Sequence, residues 1–287
     1  ISFKRQKLYR RGVWDWKEHN PKLVRVGKKY FLSISYSSDV KLSDSPLSDQ
    51  KVCAVDLGLT NSAVCSVIDA KGTVLDRLFI NQSKEKDRLF TMVNKLKKAQ
   101  YLSGKINAPN YWRRINGLQK HIVNDTSQQI IRFAKKNACD VVVFEHLGNM
   151  RIPKGFYGAK RLRFKLHFWS KQGIQNKVEE MAHYKGMRLR RINPRNTSKL
   201  AFDGSGEVKR TPRKDLCVFT TGKKYHTDLS ASYNIGARYF LNQHLKTTPA
   251  KKWLSLEAKV PQLAKRTHWT LATFISLKTV LMQPTVA

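Results

Sequence analysis

Three acids stand where a strongly basic chain has least obvious use for them. Asp56 ends the run Val52-Cys53-Ala54-Val55 and is followed by Leu57-Gly58, Glu145 ends the run Val141-Val142-Val143-Phe144, and Asp228 opens "DLSASYNIGAR". An apolar run of this length reads as a buried strand, so two of the acids sit at strand ends and the third at a helix start. Such positions on one edge of a sheet can converge. Three carboxylates held together repel one another unless a cation neutralises them. Mg²⁺, hard and oxygen-preferring, suits that cluster. Two such ions about 4 Å apart clamp the attacking and leaving oxygens of a phosphodiester displacement. Each acid also has an ordinary explanation. An Asp before Gly forms turns, Asp228 could be an N-cap, and Glu145 beside a buried run needs a partner. Taken jointly, and in this charge background, the metal-binding and catalytic reading of Asp56, Glu145 and Asp228 is preferred.

The elements that must position them follow from pattern. "KLVRVGKKYFLSISY" reads as two strands around a Gly-Lys turn, so residues 1–50 form a small β module ending in a Ser/Asp/Pro-rich linker. From residue 51, "KVCAVD", "SAVCSVI" and "TVLDRLFI" form a β-meander. A basic helical insert covers 84–137, interrupted where Gly104 and Pro109 break it. The strand at Glu145 follows, then a basic loop, a helix at about 166–185, the strand "MRLRRINP", an irregular stretch at 195–227, and the helix carrying Asp228. The 247–287 tail has no clear role. The expected class is α/β: an RNase H-like mixed sheet flanked by helices over 51–246, preceded by the β module.

Composition names the partner. The chain has 287 residues, with 55 Lys and Arg against 20 Asp and Glu, a formal net charge of +35. That much like charge calls for a polyanion, and nucleic acid leads because each phosphate contact releases a counterion. A membrane surface is disfavoured, since the basic residues are spread along the chain rather than gathered on one amphipathic helix. The apolar run Trp269–Met282 is too short to span a bilayer. The four cysteines show no disulfide framework, which implies a reducing compartment; the expected setting is cytoplasmic and nucleoid-associated, in a chain of bacterial or phage origin. The chain begins without Met, and a fragment of something longer is expected.

The three acid-bearing segments resemble the split RuvC-type nuclease motifs of TnpB-type transposon proteins and type V CRISPR effectors. "VCAVDLGLTNSAV" is similar to the first motif, "DVVVFEHLGNM" to the second and "HTDLSASYNIGAR" to the third, in which Asn234 matches the family's Asn. The order Asp-Glu-Asp argues against a DDE-type integrase. The resemblance implies an RNA-guided DNA endonuclease of RuvC type, with guide RNA and target DNA as partners and the heteroduplex held through its A-form backbone. It also implies that residues 1–50 correspond to the end of a wedge domain. Two departures stand out. The family's zinc ribbon lies between the second and third motifs, yet "NTSKLAFDGSG" has Ala201 and Gly204 where the first Cys pair belongs, and "LCVFTTGKKYHTD" offers only Cys217. A tetrahedral Zn²⁺ needs four ligands, so 195–227 is expected to be a degenerate, metal-free version without structural Zn²⁺. The family's N-terminal recognition helices are also missing from this sequence.

Basic residues near these motifs are candidates for nucleic-acid contact. Lys154, Arg161, Arg163 and Lys165 lie in a loop interleaved with aromatic residues, a composition suited to a single strand. Arg113, Arg114 and Lys120 lie beside the apolar face of the helical insert, and Arg190, Arg191 and Arg195 lie on or after the strand near the active edge. Two alternatives stay open: an RNA-guided, repressor-like DNA-binding protein that no longer cuts, and a guide-independent RNase H-like nuclease or resolvase.

Overall fold

The computed structural model describes residues 17–104, 107–146, 171–211 and 215–283. The chain divides into two compact units, residues 1–41 and 42–287. In the smaller unit β2 (Lys22–Val26) and β3 (Lys29–Ser33) form the expected hairpin around Gly27-Lys28. Two short strands, β1 (Lys17–Glu18) and β4 (Tyr36–Ser37), pair beside it in sequence. Leu23, Val26, Tyr30 and Phe31 of the hairpin are exposed. The break falls after Lys41, earlier than the linker reading placed it. Residues 42–50 pack on the larger unit: Ser43 and Ser45 both donate to the Asp140 carboxylate (2.6 and 2.5 Å), and buried Tyr239 donates to Gln50 (2.8 Å).

The larger unit is built on a five-stranded mixed sheet. Its strands are β5 (Lys51–Asp56), β6 (Ala63–Asp69), β7 (Val74–Ile80), β8 (Val141–Glu145) and β9 (Arg188–Ile192), in the order β7-β6-β5-β8-β9. The β5-β6 and β6-β7 pairs are antiparallel; β5-β8 and β8-β9 are parallel. Parallel neighbours need crossovers, and helices supply them. Between β7 and β8 run α1 (Ser83–Ser103) and α2 (Pro109–Lys136), and between β8 and β9 runs α3 (Lys171–Tyr184). Gly104, left-handed at φ 61°, ends α1, and Pro109 starts α2, so the interruption lies where the sequence put it.

Alternation along the central strands divides the core in two. Cys53, Val55, Val142 and Phe144 face the second half of α2 and α3, where Ile130, Ala134, Ile174 and Val178 are buried. Val52, Ala54, Val141 and Val143 face α4 (Thr227–Thr247). Both sheet faces are covered, which is why these strands are apolar without interruption. The same parity assigns Asp56 and Glu145 to the α4 side.

The tail proves to be structure rather than an appendage, which corrects the sequence reading. After α4 come α5 (Ala250–Lys259), two short 3₁₀ turns and α6 (Leu271–Met282). Trp253, Leu256, Leu263, Trp269, Phe274 and Leu277 join the core on the α4 side. Phe240 and Phe274 stack with ring centroids 4.9 Å apart, and the Trp269 indole donates to Leu263 O at 3.0 Å. Short apolar clusters separated by Lys and Pro hid this layer from a periodicity reading. The 195–227 stretch likewise contains an antiparallel sheet of β10 (Lys209–Arg210), β11 (Leu216–Val218) and β12 (Lys224–His226). Among the described residues no helix is long and apolar enough to cross a membrane.

Trp269 is buried and its only polar atom is satisfied, so Trp269→Ala is expected to cost about 3–5 kcal/mol. Urea denaturation measures it. A loss below about 1 kcal/mol would mean that the segment beyond residue 247 is dispensable to the core.

Candidate active site

The register of β5 and β8 ends with Val55 opposite Phe144, so Asp56 and Glu145 are the next residues along two adjacent parallel strands. Adjacent strands run about 4.8 Å apart, so the two carboxylates leave the sheet side by side. Asp228 reaches them from the first turn of α4. It is not the N-cap: His226 holds that position, its Nδ1 accepting from Leu229 N at 3.4 Å. Gly58 explains the Asp-x-Gly spacing. A Cβ there would lie 2.9 Å from Asn61 O and 3.5 Å from Asp228 Oδ2, so the loop after β5 turns against Asp228 only because residue 58 has no side chain. Lys86 fastens the same loop by donating to Leu59 O (3.0 Å) and Thr60 O (2.8 Å). Burial lowers its ammonium pKa to about 8.

Each of the three carboxylates is partly buried. Burial, then the fields of Glu145 and Asp228, push the Asp56 carboxyl well above the usual carboxylate range. The Arg210 guanidinium and a bond from Leu57 N partly offset them. Burial also raises Glu145, against the Thr197 hydroxyl bonded to its Oε1 and the nearby Arg238. Asp56 therefore feels both other acids at this end of the sheet. Among the described residues, no three His, Cys, Asp or Glu side chains stand close enough to form a ready ligand group. The donor chemistry still fits a hard divalent cation: all-oxygen ligands whose mutual repulsion a cation would relieve.

The other candidates are placed differently. Arg113, Arg114 and Lys120 lie exposed on α2, with Arg113 bonded to Asn110 Oδ1 at 2.6 Å. Lys120 lines an open groove of about 460 Å³ with Asn116, Gln119, Val123, Asn124 and Gly173. Arg190 and Arg191 are exposed on β9, Arg191 already paired with Glu179 at 2.7 Å, and Arg195 is exposed in the following loop. Lys154, Arg161, Arg163 and Lys165 lie outside the described residues.

Sequence reasoning missed four residues around the rim: Arg210, Lys86, Thr197 and Arg238. Arg238 carried a signal, being the one cation inside the apolar stretch of α4. Buried, it donates to four backbone carbonyls, those of Asn193, Arg195, Thr267 and Trp269. Burial lowers its guanidinium to about 10, still charged at neutral pH. Thr197 lies in the stretch that resembles the start of a ribbon, but nothing local shows that this threonine contacts a residue 52 positions away.

The raised Asp56 has a stability consequence. The unfolded chain releases this proton near pH 4, whereas the folded chain holds it higher. The associated stability is present below the unfolded value and is lost as pH rises through the folded one. In EDTA, Asp56→Asn, which mimics the protonated acid, is expected to raise Tm at neutral pH, the gap narrowing toward pH 5. Equal Tm values at pH 8 would contradict the crowding of charge at this rim.

No protein-family model matches the chain. It is 26% identical over 233 residues to the TnpB-like protein of Aquifex aeolicus (strain VF5), covering 74% of this chain and 75% of that one. It is 25% identical over 187 residues to the CRISPR-associated endodeoxyribonuclease Cas12f1 of an uncultured archaeon, covering 61% of this chain but only 34% of that protein. Among solved structures, a Cas12f1-sgRNA-target DNA complex aligns with a TM-score of 0.47 at 19% identity, covering 74% of this chain and 54% of that one. A CRISPR-Cas12f ternary complex aligns at 0.46 and 18%, covering 82% and 48%. The chain thus spans about half the length of those structures. By sequence it is homologous to both the TnpB-like protein and Cas12f1.

Proposed function

We propose that this chain is an RNA-guided DNA endonuclease of RuvC type that cuts phosphodiesters with divalent cations held by Asp56, Glu145 and Asp228. The observation carrying this reading is that Asp56, at a strand end beside Glu145, feels the charges of both Glu145 and Asp228, the last presented by a helix start. The mixed strand order with an antiparallel opening, and the helices on both faces, support the RNase H-like assignment. Kinship with an endodeoxyribonuclease supports the substrate class.

In this reading the carboxylates are oxygen donors to Mg²⁺. Bound there, Mg²⁺ would stabilise negative charge on the attacking and leaving oxygens of an in-line displacement. Gly58 and Lys86 fix the loop that follows Asp56 close to Asp228, limiting the rearrangement that ligation requires. Arg210, beside Asp56, offers positive charge to a phosphate entering the rim. Guide RNA and target DNA are the proposed partners. The exposed cations of α2 are proposed to hold the nucleic-acid backbone, as are the basic residues at 154–165. The proposed setting is the nucleoid in the cytoplasm.

Asp56→Ala, Glu145→Ala and Asp228→Ala are each expected to abolish Mg²⁺-dependent cleavage of a guide-matched duplex while leaving nucleic-acid binding within about twofold. Cleavage that persists in any of the three would remove that residue from the mechanism. Tight guided binding by the wild type with the DNA left intact would favour the repressor-like alternative, and cutting that needs no guide would favour the resolvase-like one. Separately, replacing Arg113 and Arg114 together with Ala should reduce the slope of log K against log salt by about 2, roughly one for each phosphate no longer neutralised. An unchanged slope would make that helix face merely solvated.

A further inference from the structure

We infer that Thr197 is a positioning residue for Glu145, held in place by a clamp of two side chains on α4; this rests on the proposed carboxylate site. Thr197 is buried, and its hydroxyl, with one proton to donate, lies within hydrogen-bonding distance of Glu145 Oε1 and of Pro194 O (2.9 Å). Among the described residues, the other bonds that fix Glu145 are to its backbone, which pairs with β9 and accepts from Gln175 Nε2 at 2.9 Å. The Thr197 contact is thus what sets the direction of the Glu145 side chain.

A threonine on a loop can aim a carboxylate only if the loop is itself immobile. Residues 193–200 turn sharply, with Asn196 in the left-handed region at φ 65°. Four of their carbonyls are taken by two buried side chains one helical turn apart on α4. Asn234 donates to Thr197 O (3.0 Å) and Leu200 O (2.9 Å) while its Oδ1 accepts from Leu271 N (3.1 Å). Arg238 donates to Asn193 O (2.9 Å) and Arg195 O (2.7 Å), and its remaining bonds reach Trp269 O and Thr267 O. Unpaired donors or acceptors here would cost more than the bonds contribute, so the loop has one low-energy seat. The helix that presents Asp228 therefore also sets Glu145, through Asn234, Arg238 and Thr197. Partners behind metal-ligating carboxylates act in this way.

The test uses the full chain and Mn²⁺ as probe, with binding followed by loss of the free-ion EPR signal and Mg²⁺-dependent cleavage measured alongside. Thr197→Val keeps the shape and removes the hydroxyl. It is expected to weaken Mn²⁺ binding about 10- to 100-fold and to lower kcat with KM for nucleic acid unchanged. Thr197→Ser is expected to restore both. Should Thr197→Val fail to fold, Thr197→Cys, close in volume and only a weak donor, carries the same expectation. Wild-type Mn²⁺ affinity in the folded Val or Cys variant overturns the inference, as does a Ser variant as impaired as Val. Asp56→Asn separates the two levels. If that variant binds Mn²⁺ as the wild type does, the carboxylate reading has failed. If Asp56→Asn abolishes binding and Thr197→Val does not weaken it, only the role of Thr197 has failed.

Discussion

Helix α4 lies against the sheet with almost nothing between them, and the geometry of the site descends from that contact. At Gly236 a Cβ would stand 2.7 Å from Ile68 Cδ1 and 3.2 Å from Ala54 Cβ, so the helix seats there only because residue 236 is glycine. The close seat sets how near Asp228 comes to Asp56 and Glu145. It also brings Asn234 and Arg238 within reach of the loop that follows β9. The helix is buried from Thr227 to Leu241 except at Asp228, between the sheet on one side and α5 and α6 on the other. Its partly open first turn is where Asp228 meets solvent.

The distribution of acids gives that rim its meaning. Several other acids have a visible structural task. Asp140 gathers Ser43, Ser45 and Lys51 N at the base of β5. Asp125 accepts from Gln82 and Gln129 under α2. Asp76 is held below the usual carboxylate range by Asn137 and Arg77 N, with Lys136 adding to them. Asp56 differs, being set against two other carboxylates, with Arg210 and one backbone N–H to offset them. A chain with a formal charge of +35 tolerates this local concentration of negative charge only where a cation, or a proton, can occupy it.

Between β9 and α4 lies a small aromatic core, shared with the first turns of α4. Phe202, Phe219, Tyr225 and Tyr233 form a chain of ring contacts with centroids 4.9–6.1 Å apart, and Cys217 is buried beneath them, its thiol bonded to Tyr225 O. Lys223 lies over the Phe202 and Tyr225 rings at 5.1 and 5.3 Å. Aromatic pairing of this kind supplies apolar burial with fixed geometry, a means of ordering a short three-stranded sheet. The insert meets the site through Thr197, bonded to Glu145, and through the field of Arg210 on Asp56, so its packing bears on the rim.

Much of this was legible from sequence, for local reasons. Apolar runs ending in an acid marked β5 and β8 and put Asp56 and Glu145 at their ends, because a strand buried on both faces cannot conceal a carboxylate in its middle. Gly104 and Pro109 marked the break between α1 and α2, because backbone geometry is a property of the residue itself. The 247–283 layer stayed hidden, since its helices are short and gain their order from Trp269 and Phe274 meeting α4. Asn234 and Arg238 stood out as residues, but what they bind, like the roles of Thr197 and Arg210, was out of reach. Their partners lie tens of residues away, and hydrogen bonds and fields act across space, not along the chain. Sequence alone determined which carboxylates stand at the ends of elements; only the tertiary structure decided that they share one rim and which neighbours aim them, because that depends on how closely a helix can approach a sheet.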